Sequence, residues 1–74
     1  MQEAEFELNA EFVELNQLLK LVGVCDSGGA GKALVAAGEV SVDGKVELRK
    51  TRKVYAGSVV ELDDIRISVI AAHE

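Results

Sequence analysis

The spacing of apolar side chains changes period twice along this 74-residue chain, and that succession limits the fold more than any single motif. Residues 3–8, EAEFEL, alternate, with Ala4, Phe6 and Leu8 on one side and Glu3, Glu5 and Glu7 on the other. A period of two is that of a half-buried strand, and three glutamates suit an edge strand, where charge discourages stray pairing. The period then lengthens. Leu15, Leu18, Leu19 and Val22 fall at i, i+3, i+4 and i+7, the apolar stripe of a short helix that Lys20 faces away from. Asn16 is the expected cap of that helix and Gly23 its left-handed end. Ser27 and Gly38 bracket a second helix, on which 100° per residue puts Ala30, Ala33, Leu34 and Ala37 on one face and Lys32 roughly opposite.

From Glu39 the period returns to two. Val40 and Val42 lead into Asp43-Gly44, a strong signal for a two-residue hairpin turn. Val46 and Leu48 are expected to continue the buried side, with Lys45, Glu47 and Arg49 facing outward. Gly57-Ser58 marks another turn before Val59-Val60-Glu61-Leu62, and Asp63-Asp64 a third before Ile65, Ile67 and Val69. Strand, two helices, then strands predict an α+β fold, with two short helices packed on a small twisted antiparallel sheet. The length predicts a single domain spanning residues 1–74, with an acidic N-terminal strand in residues 1–11. With only Phe6, Phe12 and Tyr55 as aromatics, the core has to be aliphatic.

Charge is unevenly spread. The net charge is −5, yet Glu3, Glu5, Glu7, Glu11 and Glu14 account for all of it, because residues 15–74 hold eight acidic and eight basic side chains. Five of those eight basic residues, Lys45, Arg49, Lys50, Arg52 and Lys53, lie in the nine-residue run KVELRKTRK. Exposed charges more than ~10 Å apart are largely screened from one another, so distribution matters more than the sum.

Most chemistry is excluded by what is missing. Residues 26–32, DSGGAGK, resemble a phosphate-binding loop only loosely. Asp26 stands where that motif needs glycine, and Ala33 follows the lysine where Ser or Thr would hold magnesium. Gly28, Gly29 and Gly31 leave two readings open: a helix start that an anion can approach, or relief of crowding between the helices. The single Cys25 has no second cysteine for a disulfide or a metal cluster, which fits a reducing compartment, and packing is its expected role. The lone His73 forms no Ser-His-acid or Cys-His set, and Asp63 and Asp64 read as a solvated turn. No catalytic residue, metal or cofactor is expected, and the chain is read as not an enzyme. No apolar run approaches the ~18 residues of a membrane span, and the N-terminus lacks the basic flank and apolar run of a signal peptide.

The basic run therefore carries the functional reading. Cations packed this densely repel one another, and nucleic-acid phosphate is their natural counter-charge. The order Leu15-Asn16-Gln17-Leu18-Leu19-Lys20, Gly23, Ser27-Gly28-Gly29, Gly31-Lys32-Ala33, then GEVSVDG at 38–44, Lys53-Val54 and Gly57-Ser58-Val59-Val60 resembles the S4 RNA-binding domain. The resemblance is nearest to the small free-standing S4-like proteins of bacteria, covers about residues 12–62, and is most specific at VSVDG followed by ELRKTRKV. It implies the αL arrangement of two helices on a small sheet, with the helix pair and following hairpin forming a surface for structured RNA, ribosomal RNA foremost.

By position, the resemblance implies that Lys32, Lys45, Arg49, Lys50, Arg52 and Lys53 contact RNA, with Ser27, Gly28 and Gly29 offering a further phosphate contact. Two departures shift weight from the first helix to residues 45–53: Glu14 and Gly28 stand where many S4 domains place arginine. With Tyr55 the one aromatic near the run, recognition of folded RNA by shape and phosphate spacing is expected over base stacking. The expected protein is a cytoplasmic monomer with structured RNA as partner, whether on the ribosome or off it, and no membrane contact. The alternative is a protein-interaction module in which Glu3, Glu5 and Glu7 bind a basic partner.

Overall fold

The computed structural model describes residues 2–72; His73 lies outside the described residues. The elements run β1 (Gln2–Leu8), β2 (Val13–Glu14), α1 (Leu15–Leu21), α2 (Gly28–Ala36), β3 (Val40–Val42), β4 (Lys45–Val46), β5 (Lys53–Val54), β6 (Val59–Leu62) and β7 (Ile65–Ala71). Five strands form one sheet in the order β1-β7-β6-β3-β4, while β2 and β5 pair separately. The two helices and the sheet enclose an aliphatic core in which Leu15, Leu18, Leu19, Val35, Val60 and Ile67 are fully buried. The fold is α+β.

The punctuation residues act as their chemistry requires. Ser27 caps α2, its Oγ accepting a hydrogen bond from the Ala30 amide at 3.1 Å. Gly23 and Gly38 close the helices with φ of +83° and +77°, a region that costs an L side chain strain. Asp43 and Gly44 both take positive φ, as a two-residue hairpin turn demands, and Asp43 Oδ1 accepts from the Val59 amide at 2.9 Å, tying the tip to β6.

Four local expectations are corrected. β1 is the edge strand its glutamates suggest, with Leu8 buried and Ala4 and Phe6 half-buried, but it runs parallel to β7, so the sheet is mixed. Alternation fixes which side chains face the core and is silent on strand direction. Asn16 is not the cap of α1. It sits inside the helix and is buried, and Glu14 occupies the cap position without a side-chain hydrogen bond. On α2 the buried face is Gly31 and Val35, with Leu34 half-buried, whereas Ala30, Ala33 and Ala37 are exposed.

The fourth correction bears on function. Val46 and Leu48 are each 61% exposed, and Glu47, expected outside, is only 8% exposed. The turn explains it. A two-residue loop forces Val42 opposite Lys45 and Ser41 opposite Val46. Directly opposed residues share a face, so Val46 follows Ser41 outward while Glu47 turns to the side of Val40 and Val42. The Glu47 amide then donates to the Val40 carbonyl at 2.9 Å.

Candidate nucleic-acid interface

Glu47 organises the run of cations that follows it. Its Oε2 accepts from the Arg49 amide at 3.0 Å and from Arg49 Nε at 3.2 Å, and its Oε1 from Arg49 Nη2 at 3.4 Å and Arg52 Nη1 at 2.6 Å. The Arg49 and then the Arg52 guanidinium hold the carboxyl down to about 2, from an ordinary 4.5. In return the carboxylate raises the pKa of Arg49. The basic run is therefore a folded turn around one buried acid.

The same turn caps α1. Helix amides at an N-terminus have no intrahelical acceptor, and no side chain supplies one here. The Leu15 amide instead donates to the Arg52 carbonyl at 2.9 Å, and the Asn16 amide to the Lys50 carbonyl at 3.1 Å. Pairing of β2 with β5, Glu14 opposite Lys53, continues the junction. With the Lys50 and Arg52 carbonyls turned into the helix start, the side chains of Arg49, Lys50 and Lys53 remain exposed.

Helix α2 supplies the opposite wall. A Cβ on Gly31 would lie 2.7 Å from the Asn16 backbone oxygen, so this glycine is what lets α1 and α2 touch backbone to backbone. A Cβ on Gly28 would lie 3.3 Å from Gln17 Nε2, whereas on Gly29 it would meet nothing nearer than 3.8 Å. This close crossing carries Lys32 to the rim of an open concavity of about 770 Å³ lined by Lys32, Leu48, Arg49, Lys50, Thr51, Arg52 and Lys53. Five of the seven lining residues are cationic and none is acidic.

The expected site residues thus divide. Lys32, Arg49, Lys50, Arg52 and Lys53 line one surface. Lys45, exposed on β4, lies outside that lining, as do Ser27, Gly28 and Gly29 at the start of α2. Beside the rim, Lys53 Nζ lies 4.9 Å from the Phe12 ring centroid, and Phe12 packs tilted against Tyr55 at 6.1 Å between centroids. Glu3, Glu5 and Glu7 stand on β1, the far edge from β4, roughly 19 Å away at four strand spacings of ~4.8 Å, about two screening lengths. Sequence reasoning missed Glu47, although the two-residue turn held the register that points it inward. Among the described residues no group of His, Cys, Asp and Glu side chains gathers as metal ligands would, and no helix is long and apolar enough to cross a membrane.

The sequence and the fold both resemble those of known proteins. The S4 domain model matches residues 6–70, nearly the whole chain. The chain belongs to the S4 domain family. Its S4 relatives include the Escherichia coli protein YbcJ, 46% identical over 59 residues that cover 80% of this chain and 84% of YbcJ. A Bacillus subtilis protein, RlbA, whose name describes a probable ribosome maturation protein, is 39% identical over 56 residues, 76% of this chain and 79% of that one. The solution structure of YbcJ, described as revealing an αL motif involved in RNA binding, superposes with a TM-score of 0.72 at 43% identity, covering 92% of this chain and 87% of YbcJ.

Proposed function

We propose that residues 1–74 act as a single, non-catalytic S4-like RNA-binding domain that recognises structured RNA, ribosomal RNA foremost. The observation that carries the reading is the concavity in which α2 and the 48–53 turn set five cations around one open surface without a lining carboxylate. Phosphate is the ligand that such a surface attracts, and displaced counterions supply the driving force. Fixed donors on a rigid turn suit the regular phosphate spacing of a folded RNA better than a mobile single strand. The αL motif reported for the similar YbcJ structure, and the ribosome maturation role named for RlbA, point the same way.

In this reading Lys32, Arg49, Lys50, Arg52 and Lys53 meet phosphates inside the concavity and Lys45 meets one at its margin. The start of α2 at Ser27, Gly28 and Gly29 offers a further contact. The protein works as a monomer in the cytoplasm, on or near the ribosome, and needs no cofactor. Fluorescence anisotropy with refolded ribosomal RNA at increasing salt tests this: affinity should fall steeply as salt rises. Affinity absent at low salt, or insensitive to salt, would refute the reading.

A further inference from the structure

Two of the five cations around the concavity, Arg49 and Arg52, share one carboxylate, and that acid is only 8% exposed. For a surface whose task is to attract polyanions in general, an acid paired with two of its cations is counterproductive, because it cancels a positive charge where attraction is wanted. The cancellation has a geometric return. Arg49 is 75% exposed along its side chain, yet its amide, Nε and Nη2 all bond to Glu47, leaving Nη1 for a ligand. Arg52, 36% exposed along its side chain, is anchored through Nη1. The backbone between them is held independently, because the Lys50 and Arg52 carbonyls cap α1. An arginine already held in place loses less conformational freedom on docking than one waving in solvent.

We infer, on the basis of the RNA-binding reading above, that Glu47 is the positioning and specificity-determining residue of the interface. It fixes both guanidinium groups so that the surface selects phosphates held at matching spacing in folded RNA and disfavours flexible polyanions. The price in attraction is one charge; the gain is discrimination, which a looser set of cations cannot provide.

The alternative, that Glu47 only stabilises the fold while charge count alone sets affinity, predicts the opposite sign. Glu47→Gln removes a negative charge from the basic surface and would then tighten binding to every RNA alike. Positioning predicts that binding to polyuridylate holds or strengthens while binding to refolded ribosomal RNA weakens. The ratio of the two affinities should drop by about tenfold, equivalent to one well-placed contact of about 1.4 kcal/mol. Arg49→Lys is the companion variant. It keeps the charge, sits on an exposed side chain and cannot form the two-point bond to Glu47, so the ratio should drop similarly.

Both ratios are measured by anisotropy at one salt concentration on full-length protein, with circular dichroism reporting folding. If Glu47→Gln fails to fold, Arg49→Lys alone decides. A wild-type ratio in either folded variant overturns the inference. Wild-type protein that binds neither RNA would instead overturn the RNA-binding reading beneath it.

Discussion

Adding one methyl group at Gly31 and one at Gly29 should move stability in opposite directions. Both glycines lie in α2, where alanine is favoured over glycine by about 0.5–1 kcal/mol. At Gly29 the new Cβ meets only an ordinary contact, Ser27 Oγ at 3.8 Å, so Gly29→Ala should stabilise by about 0.5 kcal/mol, the low end near a helix start. At Gly31 it would lie 2.7 Å from the Asn16 carbonyl oxygen, with Asn16 Cα at 3.3 Å. That neighbour is backbone and cannot rotate aside, and α1 is pinned there by the Asn16 amide bond to the Lys50 carbonyl. Forcing the helices apart costs about 1–3 kcal/mol, which outweighs the propensity gain and leaves Gly31→Ala less stable by about 1–2 kcal/mol. The two variants should therefore differ by about 2 kcal/mol, or roughly 8–16 °C in Tm for a domain of this size. Thermal melts followed by circular dichroism measure this directly. Gly31→Ala melting at or above Gly29→Ala would refute the close helix crossing that carries Lys32 to the concavity.

Further outcomes follow from the same geometry. Lys32→Glu should weaken binding to refolded ribosomal RNA by about tenfold more than Lys20→Glu, because Lys32 lines the concavity and Lys20 does not; equal losses in filter binding would contradict this. Glu47 contributes stability that is fully present above its unfolded value near 4.5 and is lost as pH falls through its folded value of about 2. Wild type should therefore lose more Tm between pH 4.5 and 2 than Glu47→Gln does, and parallel curves would contradict the pairing. Removing residues 1–8 takes away β1 and its buried Leu8, worth about 1.5–3 kcal/mol, so Tm should fall by at least about 6 °C. An unchanged Tm would mean that this acidic strand is not part of the core.

The elements that the sequence made legible are those set by local chemistry. Ser27, Gly23, Gly38 and the Asp43-Gly44 turn each act through their own φ or their own hydrogen bond, so residue type was enough to place them. The leucines of α1 were legible because three of them fill the core completely. What escaped was set by distant partners. The cap of α1 comes from carbonyls more than thirty positions away, at Lys50 and Arg52, and no local pattern announces it. On α2, periodicity points the alanines inward, whereas the close crossing needs glycine and sets the buried face one position on, at Gly31 and Val35. Arg49, Lys50, Arg52 and Lys53 are legible as a charge run, and the fold brings Lys32 of α2 to the same concavity. Glu47 escapes simple alternation because the two-residue turn sets Val42 opposite Lys45, which reverses the inward parity beyond the hairpin.

The central claim, that cations around the concavity bind RNA phosphates, is tested most directly by the slope of log affinity against log salt. Arg49 and Arg52 should be left intact in that test, since removing both leaves the buried Glu47 carboxylate with the backbone amide of residue 49 and no cation. Lys32, Lys50 and Lys53 are exposed, and none forms an ion pair among the described residues, so all three can be changed to Gln without stranding a buried charge. With the six proposed cation–phosphate contacts at ~0.7–0.9 each, wild type should give a slope of roughly −4 to −5 on refolded ribosomal RNA. The triple variant, shown to be folded by circular dichroism, keeps three of those contacts and should give roughly −2 to −3. A folded triple variant that keeps the wild-type slope would contradict the claim.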